Sequence, residues 1–152
     1  MRNVLLFGSL AVLLTLLAGC GGSSKPAAVK AGGKVVYRKN TPTPGALIVF
    51  HPLDPNFEKT MGGKPFATVK DDGTFALTTY EEGDGAPAGE YGVTVDWKGP
   101  KKDKGAKFAL SGEGGGSSGP SVLNPKYGDP QNLVIKVTVK PGQANDFTID
   151  VD

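Results

Sequence analysis

Apolar and polar side chains alternate strictly along residues 90–97, which read EYGVTVDW. Every second residue of this run is large and apolar: Tyr91, Val93, Val95 and Trp97. A period of two is typical of a β-strand with one buried face and one exposed face. Because such a strand cannot bury its apolar face alone, we expect the rest of the chain to supply an opposing sheet.

The same alternation recurs in six further short runs, which are separated by turn-forming residues. The runs are Lys34–Arg38, Ala46–His51, Phe66–Lys70, Thr74–Thr79, Leu133–Val139 and Asn145–Val151. The side chains expected to face inward are Val35, Tyr37, Ala46, Ile48, Phe50, Phe75, Leu77, Thr79, Leu133, Ile135, Val137, Val139, Phe147, Ile149 and Val151. Seven short strands and no helical period after the N-terminal segment predict an all-β fold, an antiparallel Greek-key β-sandwich of about seven strands.

The run Ala46–His51 has apolar residues on both of its faces. If Ile48 and Phe50 face the core, Leu47 and Val49 face outward. We expect a neighbouring loop to cover these two side chains, and a partner surface is the alternative.

Proline and glycine mark the connections between the predicted strands. Residues 52–64 contain Pro52, Pro55, Gly62 and Gly63 and are predicted as a loop. Residues 98–121 are rich in glycine and lysine and predict a mobile insertion, with order returning near 122–130.

The first twenty residues combine three features of an export signal. Residues 1–3 carry a positive charge, residues 4–17 form an apolar run of 14 residues, and residues 17–20 read Leu-Ala-Gly-Cys. The apolar run is shorter than the roughly 20 residues of a spanning helix, so a signal peptide over residues 1–19 is the better interpretation.

The sequence from Leu17 to Cys20 resembles the lipobox of bacterial lipoproteins. The resemblance implies that the thiol of Cys20 is acylated and that cleavage precedes it, which predicts an extracytoplasmic protein whose lipidated N-terminus is anchored in a membrane. Several acyl chains on one residue give durable anchoring. Gly21, in place of aspartate, favours the outer over the inner membrane by resemblance to sorting signals of diderm bacteria. The alternative for Cys20, the one cysteine of the chain, is a buried or free thiol.

Three regions follow from this interpretation. Residues 1–19 are the signal peptide, residues 20–33 a flexible tether, and residues 34–152 the β-sandwich domain with its insertion. The formal net charge of +2 is too small to indicate a nucleic-acid partner.

Catalytic and metal-binding residues are sparse in the sequence. His51 is the single histidine, and no partner can be assigned to it as a general base, so we favour a structural role and predict no enzyme activity. A zinc site would need more His and Cys ligands than the chain has. The acidic residues Asp71, Asp72, Glu81, Glu82 and Asp84 could bind Ca²⁺, but turn formation explains them as well, and no cofactor is predicted.

A lysine cluster opens the insertion, and it is the one charged segment with a candidate binding role. It consists of Lys98, Lys101, Lys102, Lys104 and Lys107. Such a run could contact an anionic surface through a salt-screened attraction, although a solvated loop is the simpler interpretation.

Four segments occur in an order that resembles the carboxypeptidase regulatory-like family. They read GKVVY at 33–37, PGALIVF at 44–50, DDGTF at 71–75 and AGEYGVTV at 88–95. The segments KYGDP at 126–130 and NDFTI at 145–149 are similar to a lipoprotein subgroup of that family. The resemblance implies a transthyretin-like (prealbumin-like) sandwich and no catalytic residues.

The expected function is therefore that of a lipid-anchored cell-envelope module with a structural or protein-binding role. A carbohydrate-binding module is the alternative, and aromatic stacking would carry it. Most aromatic residues have inward parity, which leaves Tyr80 and Tyr127 as candidates for glycan contacts.

Overall fold

The computed structural model describes residues 25–100 and 119–152, which form a two-layered β-structure with one short α-helix. The elements are β1 (Ala28–Val29), β2 (Ala31–Tyr37), β3 (Thr41–Pro42), β4 (Leu47–Pro52), α1 (Pro55–Met61), β5 (Phe66–Thr68), β6 (Thr74–Ala76), β7 (Ala86–Pro87), β8 (Gly89–Asp96), a 3-10 turn (Pro125–Tyr127), β9 (Ile135–Val139) and β10 (Asn145–Val151).

The strands form two main sheets and a small ribbon. Sheet I has the order β10-β2-β3, and β6 also pairs with β2. Sheet II has the order β5-β4-β8-β9, and β1 pairs with β7 in the ribbon. The prediction of an all-β sandwich is confirmed.

The predicted antiparallel arrangement is wrong for one pair of strands. β10 lies parallel to β2, with Asn145 opposite Ala31 and Val151 opposite Tyr37. These are an early and the last strand of the domain, and a hairpin does not join them. The long connection between them leaves their relative direction free.

The core lies between the two sheets and is filled by the alternating side chains. Phe50 of sheet II packs against the rings of Phe75, Tyr91 and Phe147, at centroid distances of 6.4, 5.8 and 5.9 Å. Trp97 is 4 % exposed, and its ring nitrogen donates to the Pro44 carbonyl at 3.0 Å. The inward parity predicted for the alternating runs accounts for most of this core.

Two side chains predicted to face the core lie elsewhere. β9 begins at Ile135, and Leu133 lies over the outer side of Gly92, where a Cβ atom would come within 2.7 Å of the Leu133 Cβ. β6 ends at Ala76, and the half-buried Thr79 donates its hydroxyl to the Gly85 carbonyl at 2.7 Å. Leu133 takes this position because glycine leaves a gap on the outer face of sheet II.

The loop predicted over residues 52–64 contains the helix α1, so this prediction is wrong. Asp54 caps the helix by accepting from the Asn56 amide at 2.8 Å, and Gly62 ends it with a left-handed conformation. Half-buried Phe57 and buried Met61, four residues apart, face the sandwich. A helix this short depends on tertiary packing.

The tether predicted over residues 20–33 is also wrong for its second half. Residues 28–29 form β1 and residues 31–33 belong to β2. Gly32 and Gly33 lie against the backbone of neighbouring strands, where a Cβ atom would overlap the carbonyl oxygens of Phe75 and Phe147. The glycines that suggested flexibility therefore permit close strand packing.

The insertion leaves and rejoins the domain at one place. Val122 donates to the Trp97 carbonyl at 2.8 Å, and the Ser121 hydroxyl donates to the same oxygen at 3.1 Å. Residues 101–118 of the insertion, like residues 1–24, lie outside the described residues. In the part of the chain that is described, no helix has the length and hydrophobicity needed to cross a bilayer.

Candidate binding surface

Five of the six residues assigned a lipidation or anionic-surface role from the sequence fall outside the described ranges. These are Cys20, Lys101, Lys102, Lys104 and Lys107. Lys98 is described, and its ammonium forms an ion pair with Asp96 at 2.8 Å. Lys98 is therefore already paired within the domain, while lipidation at Cys20 and contact of the other lysines with an anionic surface stay predictions.

The outer face of sheet II carries an unusual group of apolar side chains. Leu47 and Val49 on β4 face outward, as their parity predicts, and Phe66 on β5 lies directly opposite Val49. Leu47 is 43 % exposed and Phe66 is 47 % exposed, whereas Val49 is half-buried. We call Leu47, Val49 and Phe66 the outer patch.

The register of the strands brings the members of the outer patch together. Leu47 lies opposite Thr68, so Leu47 and Phe66 are diagonal neighbours across the β4–β5 pair. Diagonal side chains are about 7–8 Å apart and within reach of an aromatic ring. Among the described residues no loop covers Leu47, so the expected cover is not found in this part of the chain.

Phe66 is the residue of this surface that sequence reasoning missed. Its strand was predicted, but no face was assigned to it. Ala67 and Val69 are buried, so a parity argument on this run alone places Phe66 on the outside. Among residues 25–100 and 119–152, Phe66 is the one exposed aromatic side chain.

Charged groups at the two borders of the outer patch are paired with each other. At the Leu47 border, Asp96 lies opposite Leu47 and forms the ion pair with Lys98. On the His51 side, Lys64 and Glu58 form an ion pair at 3.3 Å. The second oxygen of the Asp96 carboxyl is buried and has no hydrogen-bond partner within the described part of the chain.

His51 continues the same face of β4, and its surroundings disfavour the charged form. Its Nε2 atom lies 2.9 Å from the Thr94 hydroxyl. Burial lowers the pKa of His51 below its usual value of 6.5, and the Lys64 ammonium lowers it further, against a weaker opposing effect of Glu58. Within the described ranges no hydrogen bond joins the ring to a carboxylate that would orient it.

The acidic residues considered for Ca²⁺ are engaged in their own turns. Asp72 accepts from the Thr74 amide and hydroxyl, at 2.9 and 2.6 Å, and these bonds lower its pKa. Burial alone would raise the pKa of Asp84, but backbone N–H groups, including those of Thr79 and Tyr80, lower it overall. The described residues contain no group of three or more potential ligands that could hold a metal ion.

The two aromatic residues considered for glycan stacking are also engaged within the domain. Tyr80 is half-buried and donates its hydroxyl to the Pro26 carbonyl at 2.9 Å. Tyr127 is 8 % exposed and donates its hydroxyl to the Asp152 carboxylate. A lysine ammonium lies over each ring, Lys25 at 5.3 Å from the centre of Tyr80 and Lys126 at 4.7 Å from the centre of Tyr127, so both rings already have contacts within the domain.

Among the described residues, the outer patch on sheet II is thus a candidate binding surface that the strand register assembles. No family model, no curated protein and no solved structure matches the chain.

Proposed function

We propose that this chain is a lipid-anchored, non-catalytic β-sandwich of the cell envelope that binds a protein partner through the outer patch. The observation that carries the proposal is the pair of exposed apolar side chains, Leu47 and Phe66, on the face of a regular sheet. Contiguous exposed apolar groups on a folded domain commonly mark an interaction site.

The charges around the outer patch favour a particular partner chemistry. Asp96 pairs with Lys98, Glu58 pairs with Lys64, and His51 is neutral at pH 7, so the patch has little net charge at its borders. Protein interfaces have centres that are depleted of charge and enriched in aromatic residues. These features support an uncharged, apolar protein surface as the partner and give no attraction for a polyanion.

The membrane attachment is the second part of the proposal, and the residues at 17–20 support it. The lipobox resemblance places the acyl chains on Cys20, and residues 25–152 then form an extracytoplasmic domain at the outer membrane. The carboxypeptidase regulatory-like family remains our proposal for the ancestry of the sandwich, supported by the order of its strand motifs.

Attachment is tested by fractionation and mass measurement of the protein from the cell that makes it. We expect the wild-type protein in the membrane fraction, with an intact mass that corresponds to acylated residues 20–152. The Cys20→Ser variant should lose both the acyl mass and membrane retention. A wild-type protein with unmodified Cys20 would contradict the proposal.

Partner binding is tested by photo-crosslinking from Thr68, which is exposed and lies opposite Leu47. A crosslinking residue at this position should yield one defined protein adduct in intact cells. The Leu47→Thr and Phe66→Thr variants should lose that adduct, whereas Leu53→Thr should keep it. Leu53 is a matched control because it is apolar and 40 % exposed but lies outside the outer patch. An adduct that survives both patch substitutions would overturn this role of the patch.

A further inference from the structure

Residues 25–30, four residues beyond the predicted lipobox, are built into the domain. Val29 lies opposite Ala86 and Ala28 opposite Pro87 in the β1–β7 ribbon. Gly85 lies so close to this segment that a Cβ atom would overlap the Val29 carbonyl oxygen. The first strand is thus held by backbone hydrogen bonds and by close packing.

Side-chain contacts hold the same segment on either side of β1. The Tyr80 hydroxyl donates to the Pro26 carbonyl at 2.9 Å, and the Lys25 ammonium lies 5.3 Å from the centre of the Tyr80 ring. The Lys30 ammonium donates to the Gly83 carbonyl at 2.8 Å. A cation over an aromatic ring contributes about 0.5–1 kcal/mol at an exposed site.

These contacts shorten the stretch of chain between the proposed anchor and the domain. Four residues, 21–24, separate Cys20 from Lys25. A fully extended chain advances at most about 3.6 Å per residue, so Lys25 stays within about 18 Å of Cys20. A connection that ran to Lys34 would have reached about 50 Å and would have left the domain without a preferred orientation.

All loops around β1 lie at one end of the sandwich. β8 begins at this end with Gly89, β9 ends there with Val139, and β10 begins there with Asn145, whose amide donates to the Lys30 carbonyl at 3.2 Å. We call this the β1 end and assign to it residues 25–30, 78–88 and 140–144. The opposite end, which we call the Trp97 end, carries residues 38–45 and both attachment points of the insertion.

We propose that the β1 end faces the lipid surface and that the Trp97 end points away from it. The inference rests on the proposed lipidation of Cys20 and adds an orientation to it. The eight residues of β8 span about 27 Å at roughly 3.4 Å per residue. Leu47 lies opposite Asp96, near the Trp97 end, so this part of the outer patch is presented well above the headgroups.

The test measures the distance of two surface positions from the bilayer in the lipidated, full-length protein. Acylated Cys20 has no free thiol, so a cysteine introduced by Glu82→Cys or by Asn40→Cys is the one reactive site. Glu82 is exposed at the β1 end, and Asn40 is exposed at the Trp97 end. Each variant carries a donor fluorophore and is reconstituted into phosphatidylethanolamine–phosphatidylglycerol vesicles that contain a headgroup-labelled acceptor lipid.

We expect much higher energy transfer from position 82 than from position 40. Inserting about twelve Gly/Ser residues between Ser24 and Lys25 should abolish the difference, since a longer coil frees the domain without altering its fold. The Tyr80→Ala variant should reduce the difference by weakening the hold on Lys25 and Pro26.

Equal transfer from positions 82 and 40 in acylated protein would overturn the orientation and leave the anchoring proposal intact. Absence of the acyl mass on wild-type protein would refute the anchoring proposal and the orientation together. Intact mass, recorded on the same vesicle samples, distinguishes these two results.

Discussion

The two faces of sheet II carry similar apolar residues in different surroundings. On β4, Ile48 and Phe50 point inward and are fully buried, whereas Leu47, one residue away, is 43 % exposed. Alternation alone therefore accounts for the inner face but not for the outer one. The inner face holds the fold together, and the outer face has an apolar surface that the fold does not require.

Because the two faces differ in this way, substitutions on them should have separable effects on stability and on partner binding. A substitution on the inner face should lower the free energy of unfolding, and any effect on a partner would follow from that loss. A substitution on the outer patch should affect the partner while the fold persists. Neighbouring residues on one strand allow both effects to be measured in the same backbone.

The largest effect is expected for Ile48→Thr on the inner face. The substitution removes a buried methyl group and places a hydroxyl among apolar side chains, where Ile48 is fully buried. Together these changes should lower the free energy of unfolding by roughly 2–4 kcal/mol. Urea denaturation followed by Trp97 fluorescence measures the change. A loss below 1 kcal/mol would show that the inner face is not a closely packed core.

Local sequence patterns were sufficient to locate the seven longer runs of this core and to give the bounds of two of them. The predicted and observed bounds of Asn145–Val151 coincide, and the run predicted at residues 90–97 is displaced by a single residue. Such strands combine strict alternation with flanking turn residues, and each signal is local. The helix α1 also had local signals, an Asp-Pro start and a Gly end, but proline and glycine suggested a loop.

Features that depend on distant partners could not be predicted in this way. β1 is formed by a two-residue pairing with residues 86–87, and nothing in its own sequence alternates. The parallel pairing of β10 with β2 and the position of Leu133 over Gly92 are likewise set by packing. The outer patch was half predictable, since parity placed Leu47 outward but could not show whether anything covered it.

The next largest effect is expected for Gly92→Ala, where the outer face of sheet II is covered. The added Cβ atom would come within 2.7 Å of the Leu133 Cβ and displace that side chain. Overpacking of this kind costs about 1–3 kcal/mol. Thermal unfolding should show the loss, and the double variant Gly92→Ala/Leu133→Gly, which also removes the Leu133 Cβ, should recover part of it. No recovery in the double variant would mean that Leu133 is not the obstacle.

A smaller loss is expected for Tyr91→Phe on the inner face. The buried hydroxyl of Tyr91 donates to the Pro87 carbonyl at 2.7 Å, and its removal leaves that carbonyl without its donor. The expected cost in unfolding free energy is about 1–2 kcal/mol. Tyr80→Phe is a matched control, since the half-buried Tyr80 hydroxyl also donates to a proline carbonyl and water can replace it. Equal losses in the two variants would contradict this reasoning.

The outer face should also contribute a small dependence of stability on pH through His51. Burial and Lys64 lower the folded-state pKa below 6.5, so the unfolded chain takes up a proton first as the pH falls. The contribution of His51 to the free energy of unfolding is complete above pH 6.5 and is lost as the pH falls through the folded-state pKa. Melting temperatures between pH 7.5 and 5 should fall slightly, and His51→Gln should flatten the curve. A steeper curve in the variant would show that the sign is wrong.

The smallest effect on stability is expected for Leu47→Thr, although its effect on binding should be large. Thr is a good strand former, and Leu47 keeps nearly half of its surface in solvent, so the free energy of unfolding should change by about 0.5 kcal/mol or less. Urea denaturation checks this value against Ile48→Thr, the neighbouring position with the same new residue. The crosslink from Thr68 should nevertheless disappear, because the partner loses its apolar contact. If Leu47→Thr instead destabilises the domain as strongly as Ile48→Thr, the outer patch belongs to the core and the distinction between the two faces fails.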